Sequence, residues 1–159
     1  MKELVPLDEV RAEILAAVTR LDPVDVPLRE AQGLVLAAAV TTDEDVPPFP
    51  NTAMDGYAVR AADTAGATVD AAVTLHVVGE LAAGHAPDVA VGAGEAIRIM
   101  TGAPMPPGAD AVVMVEQTRR ADGDVEIQAE ARPGQHVRGA GGDLRAGQIV
   151  FETGTLLSA

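Results

Sequence analysis

A carboxylate between a run of prolines and a glycine is the first feature of the chain that could do chemistry. The carboxylate is Asp55, in the stretch PPFPNTAMDGYAVR at residues 47–60. Proline fixes φ at about −65° and lacks an amide hydrogen, so residues 47–50 are expected to form a stiff, extended approach outside any central strand. Asp-Gly between apolar residues is also typical of a hairpin turn, which leaves a purely structural role for Asp55 as the alternative.

A second polar group lies in EAIRIMTGAPMPPGADAVVMVE, residues 95–116, whose apolar alternation predicts a strand, a tight loop and a second strand. Thr101 and Gly102 put a hydroxyl and an accessible backbone N–H at the end of the first strand, which suits the binding of an oxyanion or a carboxylate. The dipeptide Pro107-Gly108 predicts a type II turn that joins the two strands. Both interpretations can hold, because the turn lies six residues after Thr101.

A third block, HVRGAGGDLRAG at residues 136–147, has three glycines within four residues between Arg138 and Asp143. Glycine takes φ > 0 without strain and lets the backbone approach a ligand closely, which is typical of a phosphate-binding loop. The stretch lacks the Gly-x-x-x-x-Gly-Lys-Ser/Thr pattern and a clear helix after it, so a flexible joint is the stronger local alternative.

In this order the three blocks closely resemble the signature of the molybdopterin molybdenumtransferases, the MoeA family, which includes the E domain of gephyrin. The resemblance extends over nearly all 159 residues. It implies that Asp55, Thr101 and Asp143 are catalytic residues of the active cleft. It also implies that Asp55 and Asp143 bind a metal ion, and that Arg138 is a cofactor-binding residue that neutralises anionic charge.

The third block departs from the family pattern. Members typically carry an arginine-rich run that ends in Gly-Glu-Asp, whereas this chain has Gly139 and Ala140 in place of further arginines and Gly142 in place of the glutamate. Fewer cations weaken the expected phosphate contact, so the resemblance supports Arg138 less than it supports Asp55 or Thr101.

The resemblance implies an enzyme of molybdenum-cofactor biosynthesis. Such an enzyme takes adenylated molybdopterin and molybdate as its small-molecule substrates, cleaves the adenylate with Mg²⁺, releases AMP and inserts the metal at the pterin dithiolene. A homodimer of the full-length protein is implied as well, with molybdopterin adenylyltransferase as a further partner.

The resemblance implies that the chain covers well under half of a typical family member, and we expect the family's pterin-binding and C-terminal domains to lie outside it. We therefore expect the isolated chain to be catalytically inactive. An excised fragment and a naturally truncated gene both stay open, and we favour the fragment. The competing function is a non-catalytic, protein-binding scaffold module derived from the same family, and the retention of Asp55, Thr101 and Asp143 argues against it.

The chain carries 24 acidic against 11 basic residues, a formal net charge of −13. This negative field repels nucleic acids and anionic membrane surfaces, so neither is an expected partner. It also repels molybdate and a phosphorylated pterin, and a divalent cation held by carboxylates would offset that repulsion. The absence of cysteine excludes disulfides and thiolate zinc sites. With no signal-peptide pattern after Met1, the cytoplasm is the expected location.

Apolar residues at helical spacing predict an amphipathic helix over residues 7–19 and a second helical region over 28–38 that is interrupted or hinged at Gly33. Short β-branched runs predict strands at 57–59, 73–78, 96–100, 111–116, 125–128 and 148–151. The expected fold class is mainly β with N-terminal helices (α+β). The resemblance to the MoeA N-terminal region implies an elongated base, residues 1–46 and 140–159, into which a small β subdomain, residues 47–139, is inserted.

Overall fold

The computed structural model describes residues 4–158, which divide into two compact units. The first unit contains the described residues up to Val40 together with those from Phe151 onward, and the second unit is Thr41–Val150. The base and the inserted subdomain that the resemblance implies, with bounds near residues 46 and 139, stay a prediction.

The first unit contains one α-helix, α1, at Leu7–Ala17, inside the predicted span of residues 7–19. Asp8 and Glu9 lie in its first turn, where carboxylates interact favourably with the helix dipole. None of its residues is buried, so the apolar side chains that predicted the helix are exposed. No helix in the described part of the chain is long and apolar enough to cross a membrane.

The second predicted helix is wrong. Residues 28–38 contain only a 3-10 turn at Leu28–Glu30. Beyond it the chain turns at Gly33, whose φ is +80°, and the Gly33 N–H donates to the carbonyl of Leu157 at 2.7 Å. The Leu157 N–H in turn donates to the carbonyl of Leu34 at 2.9 Å. This long-range pairing overrides a weak local helix preference, and local apolar spacing carries no information about it.

A six-stranded sheet with the strand order β6-β3-β5-β4-β8-β7 is the main element of the second unit. Its neighbouring strands are antiparallel except β4 and β5, which are parallel. Strands β2 and β9 form a separate antiparallel pair. The strands are β1 Val40–Thr41, β2 Asn51–Thr52, β3 Gly56–Val59, β4 Val73–Leu81, β5 Glu95–Ile99, β6 Ala111–Met114, β7 Thr118–Ala121, β8 Asp124–Ile127, β9 Val137–Arg138 and β10 Ile149–Phe151.

The sequence predicted the long, β-branched strands and missed the short or polar ones. All six predicted strands exist, as β3, β4, β5, β6, β8 and β10. The missed strands β1, β2 and β9 have two residues each, which is too short for an alternating pattern. Strand β7 carries two arginines at the edge of the sheet, where charged side chains oppose edge-to-edge association.

Two clusters of buried side chains form the core, which is almost entirely aliphatic. Because successive residues of a strand face opposite sides, Tyr57 and Val59 of β3 belong to one cluster and Ala58 to the other. Tyr57 is the large aromatic exception and is 2% exposed. The core therefore fixes both faces of β3, the strand that begins directly after Asp55.

Gly56 is required by close strand packing and not by a turn. It is the first residue of β3, where it pairs with Ile99 on one side and Met114 on the other. Its φ is not positive, and an added Cβ would lie 2.0 Å from the carbonyl oxygen of Val113. Only a glycine lets the β6 backbone approach so closely. The hairpin turn predicted at Asp55-Gly56 is wrong, because β2 and β3, the strands on either side of it, do not pair with each other.

Candidate active site

Asp55 and Thr101, predicted from separate blocks of sequence, contact each other directly. Asp55 immediately precedes β3, and Thr101 follows β5 by two residues. The register pairs Gly56 with Ile99, so both side chains lie at the same end of the sheet. The backbone N–H and the hydroxyl of Thr101 each donate to Oδ1 of Asp55, both at 2.7 Å.

These hydrogen bonds lower the pKa of Asp55 below its ordinary value of 3.8. The backbone N–H of Thr101 contributes most and the Thr101 hydroxyl second, because both donors stabilise the charged carboxylate. Desolvation raises the pKa of Asp55 and so opposes this effect, while the positive charge of Arg98 lowers the pKa further. Asp55 is exposed, so the end of the sheet carries an accessible, ionised carboxylate at neutral pH.

Thr101 holds a carboxylate that belongs to the chain itself, through its hydroxyl and its own N–H, and its predicted role towards a ligand stays a prediction. The neighbouring N–H of Gly102 donates to the carbonyl of Thr52 at 2.9 Å and is already used. Within residues 4–158, Oδ2 of Asp55 receives no hydrogen bond. The group that this contact leaves to a ligand is therefore the second oxygen of Asp55.

Strand β2, Asn51–Thr52, is the element on which the three sequence blocks meet. On one side, the Thr52 N–H donates to the carbonyl of Ala103 at 3.0 Å, in the loop that follows Thr101. On the other side, β2 pairs with β9, so that Asn51 lies opposite Arg138. The strand begins only after the last proline, as the proline-rich approach predicted.

Thr52 is a positioning residue that the sequence analysis missed. Its side chain is 1% exposed, and its hydroxyl donates to the carbonyl of Met54 at 2.6 Å. The same oxygen accepts the Met54 N–H at 3.1 Å. This local turn sets the direction of the chain into Asp55. A threonine two residues before a bend is a recognisable signal, because hydroxyl side chains commonly bond the backbone two residues on.

Arg138 and Asp143, predicted at the two ends of the glycine block, form an ion pair in which Nη2 donates to Oδ2. Both side chains are nearly half exposed. No hydrogen bond or ion pair of the described residues joins this pair directly to Asp55 or Thr101. The structure therefore brings the four predicted residues together as two exposed pairs, linked through β2.

Three backbone N–H groups of the glycine block, those of Gly141, Gly142 and Asp143, are not available to a phosphate. The Gly141 N–H donates to the carbonyl of Pro47 at 2.9 Å. The Asp143 N–H donates to the carbonyl of Val46 at 2.9 Å, and the Gly142 N–H is bonded within the loop. A donor used in this way is not offered to an anion. The same bonds anchor the loop to the segment before β2, which disfavours the alternative of a flexible joint.

The described residues fit a Mg²⁺ ion only in part. Among residues 4–158 no group of three or more acidic, histidine or cysteine side chains could hold a metal ion. Mg²⁺ usually takes one or two carboxylates and completes its shell with water and substrate phosphates. Oδ2 of Asp55 suits such a partial site. Asp143 suits it less well, because the guanidinium of Arg138 already occupies its carboxylate.

Comparisons with known proteins match almost the whole chain. The model of the family described as "MoeA N-terminal region (domain I and II)" matches residues 5–159. Molybdopterin molybdenumtransferase 2 of Mycobacterium tuberculosis is 43% identical over 158 residues, which are 99% of this chain and 38% of that protein. A molybdopterin molybdenumtransferase of Nostoc sp. is 41% identical over 134 residues, 84% of this chain and 31% of that protein.

A solved structure matches the fold as well. The molybdopterin biosynthesis moeA protein from Pyrococcus horikoshii OT3 has a TM-score of 0.91 and 38% sequence identity, over 98% of this chain and 41% of that one. The chain thus spans less than half of the length of the relatives it matches.

Proposed function

Because the chain belongs to the MoeA family, whose N-terminal region it matches, we propose that it contributes to a molybdopterin molybdotransferase of molybdenum-cofactor biosynthesis. In this proposal the complete enzyme inserts molybdate into adenylated molybdopterin and releases AMP. The printed names of the relatives, which call them molybdopterin molybdenumtransferases, support the reaction class.

The contact between Asp55 and Thr101 carries the proposal. Two donors from one residue fix Oδ1 of Asp55, and the pKa of this carboxyl is lowered, so the group stays ionised and held in one orientation. Its free Oδ2 can orient a cation or accept a proton from a nucleophilic oxygen. A carboxylate with only a structural role would not need to stay exposed.

Asp55 is the residue of this chain that we propose as a metal ligand, with Asp143 as the second candidate. When bound, Mg²⁺ supplies charge neutralisation for anionic substrates in a chain whose net charge is −13. Asp143 joins such a site only if Arg138 releases it. In this proposal Arg138 exchanges its observed partner, the Asp143 carboxylate, for an anionic group of the substrate.

We further propose that the isolated chain is inactive, that the full-length protein works as a homodimer in the cytoplasm, and that a molybdopterin adenylyltransferase supplies its substrate. The chain spans 38% of the Mycobacterium tuberculosis relative, so most of that protein has no counterpart here. A cleft shared with further residues agrees with Asp55, Thr101, Arg138 and Asp143 being exposed.

The test is a chimera in which this chain replaces the matching 158 residues of the Mycobacterium tuberculosis relative. The measurement is AMP release from adenylated molybdopterin with molybdate and Mg²⁺. We expect the chimera to release AMP, and Asp55→Asn to slow the release about 100-fold or more, as loss of a charged catalytic group does. Asp122→Asn, an exposed carboxylate in the turn between β7 and β8, is the matched control and should change little.

A folded chimera that releases no AMP, while the unaltered relative does, would count against the proposed function. Equal rates of AMP release for the chimera and its Asp55→Asn variant would remove Asp55 from the site, whereas a folded but inactive chimera would favour the scaffold module. Circular dichroism of each protein separates these outcomes from misfolding.

A further inference from the structure

A pocket with a volume of about 290 Å³ lies on the six-stranded sheet, apart from the contact between Asp55 and Thr101. Its charged lining residues are Arg98, Arg120, Glu80 and Asp124, and the Asp124 carboxylate is bonded to the ring of His76 at 2.9 Å. Neither Asp55 nor Thr101 lines it. All the lining residues belong to the second unit.

The pocket exists because strand β4 is irregular and two lining residues lack side chains. The register between β4 and β5 shifts between Val77 and Gly79. An added Cβ at Gly79 would meet nothing within 4 Å, and the same is true of Gly123 in the turn before β8. A bulge of this kind opens a sheet locally and re-aims neighbouring side chains.

Arg98 is fixed at the pocket by its cross-strand neighbours. The register places it between Tyr57 on β3 and Glu80 on β4. Its guanidinium carbon lies 5.8 Å from the centroid of the Tyr57 ring, within the range of a cation–π contact. Its Nη1 lies 3.5 Å from the Tyr57 hydroxyl, at the limit of a hydrogen bond.

The two arginines of the pocket keep their charge available. No carboxylate oxygen of residues 4–158 lies within 4 Å of either the Arg98 or the Arg120 guanidinium nitrogens, although Glu80 is a cross-strand neighbour of Arg98. Arg119, the residue before Arg120, is instead paired with Glu126, whose Oε2 accepts its Nε–H at 2.7 Å. Side chains alternate along β7, so Arg119 and Arg120 face opposite sides of the sheet.

We propose that this pocket binds a small molecule through a tetrahedral oxyanion group held by Arg98 and Arg120. Guanidinium groups match such anions because they offer several N–H donors in a planar fork. The volume lies near the lower end for ligand sites and therefore suits a compact group. The carboxylates of Glu80 and Asp124 also line the pocket, so they disfavour additional negative charge and favour a ligand with hydrogen-bond donors beside its anion.

Anion binding in this pocket is independent of the proposed transfer reaction, because it requires neither Asp55 nor a complete enzyme. Two sources share the chemistry of the ligand, phosphate esters and molybdate. The net charge of −13 repels both kinds of anion. Binding therefore depends on a local group of unpaired cations, the guanidinium groups of Arg98 and Arg120.

The test is a titration of the 159-residue chain with inorganic phosphate at low ionic strength, followed by amide chemical shifts in NMR spectra. We expect saturable shifts centred on Gly79 and Gly123. Arg98→Gln should weaken binding about tenfold, and Arg120→Gln about threefold, since charge-assisted hydrogen bonds are lost. Arg119→Gln, the matched control on the same strand, removes an equal charge and should leave binding within about twofold.

A second titration with sodium molybdate separates the two sources, since the tighter anion identifies the ligand class. Shifts spread evenly over the surface, or equal losses for Arg119→Gln and Arg98→Gln, would overturn the proposal, because they indicate unspecific charge attraction. The absence of saturable shifts with either anion would overturn it too. If Arg98→Gln does not fold, Arg120→Gln on the edge strand gives the decision.

Discussion

Oδ1 of Asp55 accepts two hydrogen bonds from one residue, and this asymmetry determines what the carboxylate can do. The oxygen bound by Thr101 is fixed, while Oδ2 stays accessible. The sequence alone located both residues and the kind of contact that Thr101 makes. It did not show that the two belong together, because the β3–β5 register that joins them pairs residues 37 to 43 positions apart.

The titration of Asp55 should separate the two donors of Thr101. In Thr101→Val the hydroxyl bond is lost and the stronger backbone bond is kept, so the pKa should rise towards 3.8 but remain below it. The measurement is the pH dependence of the Asp55 carboxyl carbon shift in NMR spectra. Thr74→Val, at an exposed position of β4, should leave the titration unchanged. A Thr101→Val titration identical to the wild type would mean that the hydroxyl bond does not form.

The lowered pKa also fixes the pH range in which this contact adds to stability. A carboxyl whose pKa is lower in the folded state stabilises the fold above its ordinary pKa of 3.8 and loses that contribution as the pH falls through the folded value. We therefore expect the stability difference between wild type and Thr101→Val to shrink below pH 3.8 in acid unfolding curves. A difference that grows on acidification would contradict the contact.

Asp55→Asn should leave the fold nearly unchanged, because Asn keeps an oxygen that can accept both bonds from Thr101 and the site is exposed. We expect thermal melting to shift by no more than about 3 °C, as for most surface substitutions. Circular dichroism melting curves measure the shift. A variant that does not fold would restore a structural role for Asp55 and reduce its case as a catalytic group.

At the scale of elements, the strand pair β2–β9 shows where sequence reasoning ends. Each strand has two residues, so neither produces a hydrophobic pattern. Their pairing nevertheless joins the proline-rich approach to the glycine block. The long strands were predictable because they are rich in β-branched residues. The helix prediction over 28–38 was wrong because distant backbone groups form hydrogen bonds with that segment instead.

Two strand glycines provide a paired test of why Gly56 is a glycine. In Gly56→Ala the new Cβ would meet the Val113 oxygen at 2.0 Å, so we expect a loss of about 1–3 kcal/mol or more in the free energy of unfolding. Gly79→Ala adds the same methyl group where nothing lies within 4 Å, and should be neutral or stabilising by up to about 1 kcal/mol. Urea unfolding curves compare them. Equal losses would indicate that the close approach of the Val113 carbonyl is not what selects glycine at position 56.

At the scale of the molecule, we expect the chain to be inactive by itself. Its candidate site residues are exposed, and it spans less than half of the length of its relatives, 38% in the case of the Mycobacterium tuberculosis protein. The 159-residue chain should therefore release no AMP from adenylated molybdopterin when molybdate and Mg²⁺ are present. A coupled AMP assay measures the release, with the chimera as the positive control. Turnover by the chain alone would place the whole reaction within it.

Sequence could predict the family and the exposed residues, but not how much of a cleft they build, since that depends on which side chains lie near one another in space.

The chain has one tyrosine and no tryptophan, so its near-ultraviolet spectrum comes mainly from Tyr57. That ring is packed in the core beneath Arg98, two positions along the chain from Asp55. Its fluorescence and circular dichroism therefore report on the unfolding of the sheet and on anything that draws the guanidinium away from the ring, without an introduced label. Tyr57 is therefore a native optical probe in the lining of the candidate anion pocket.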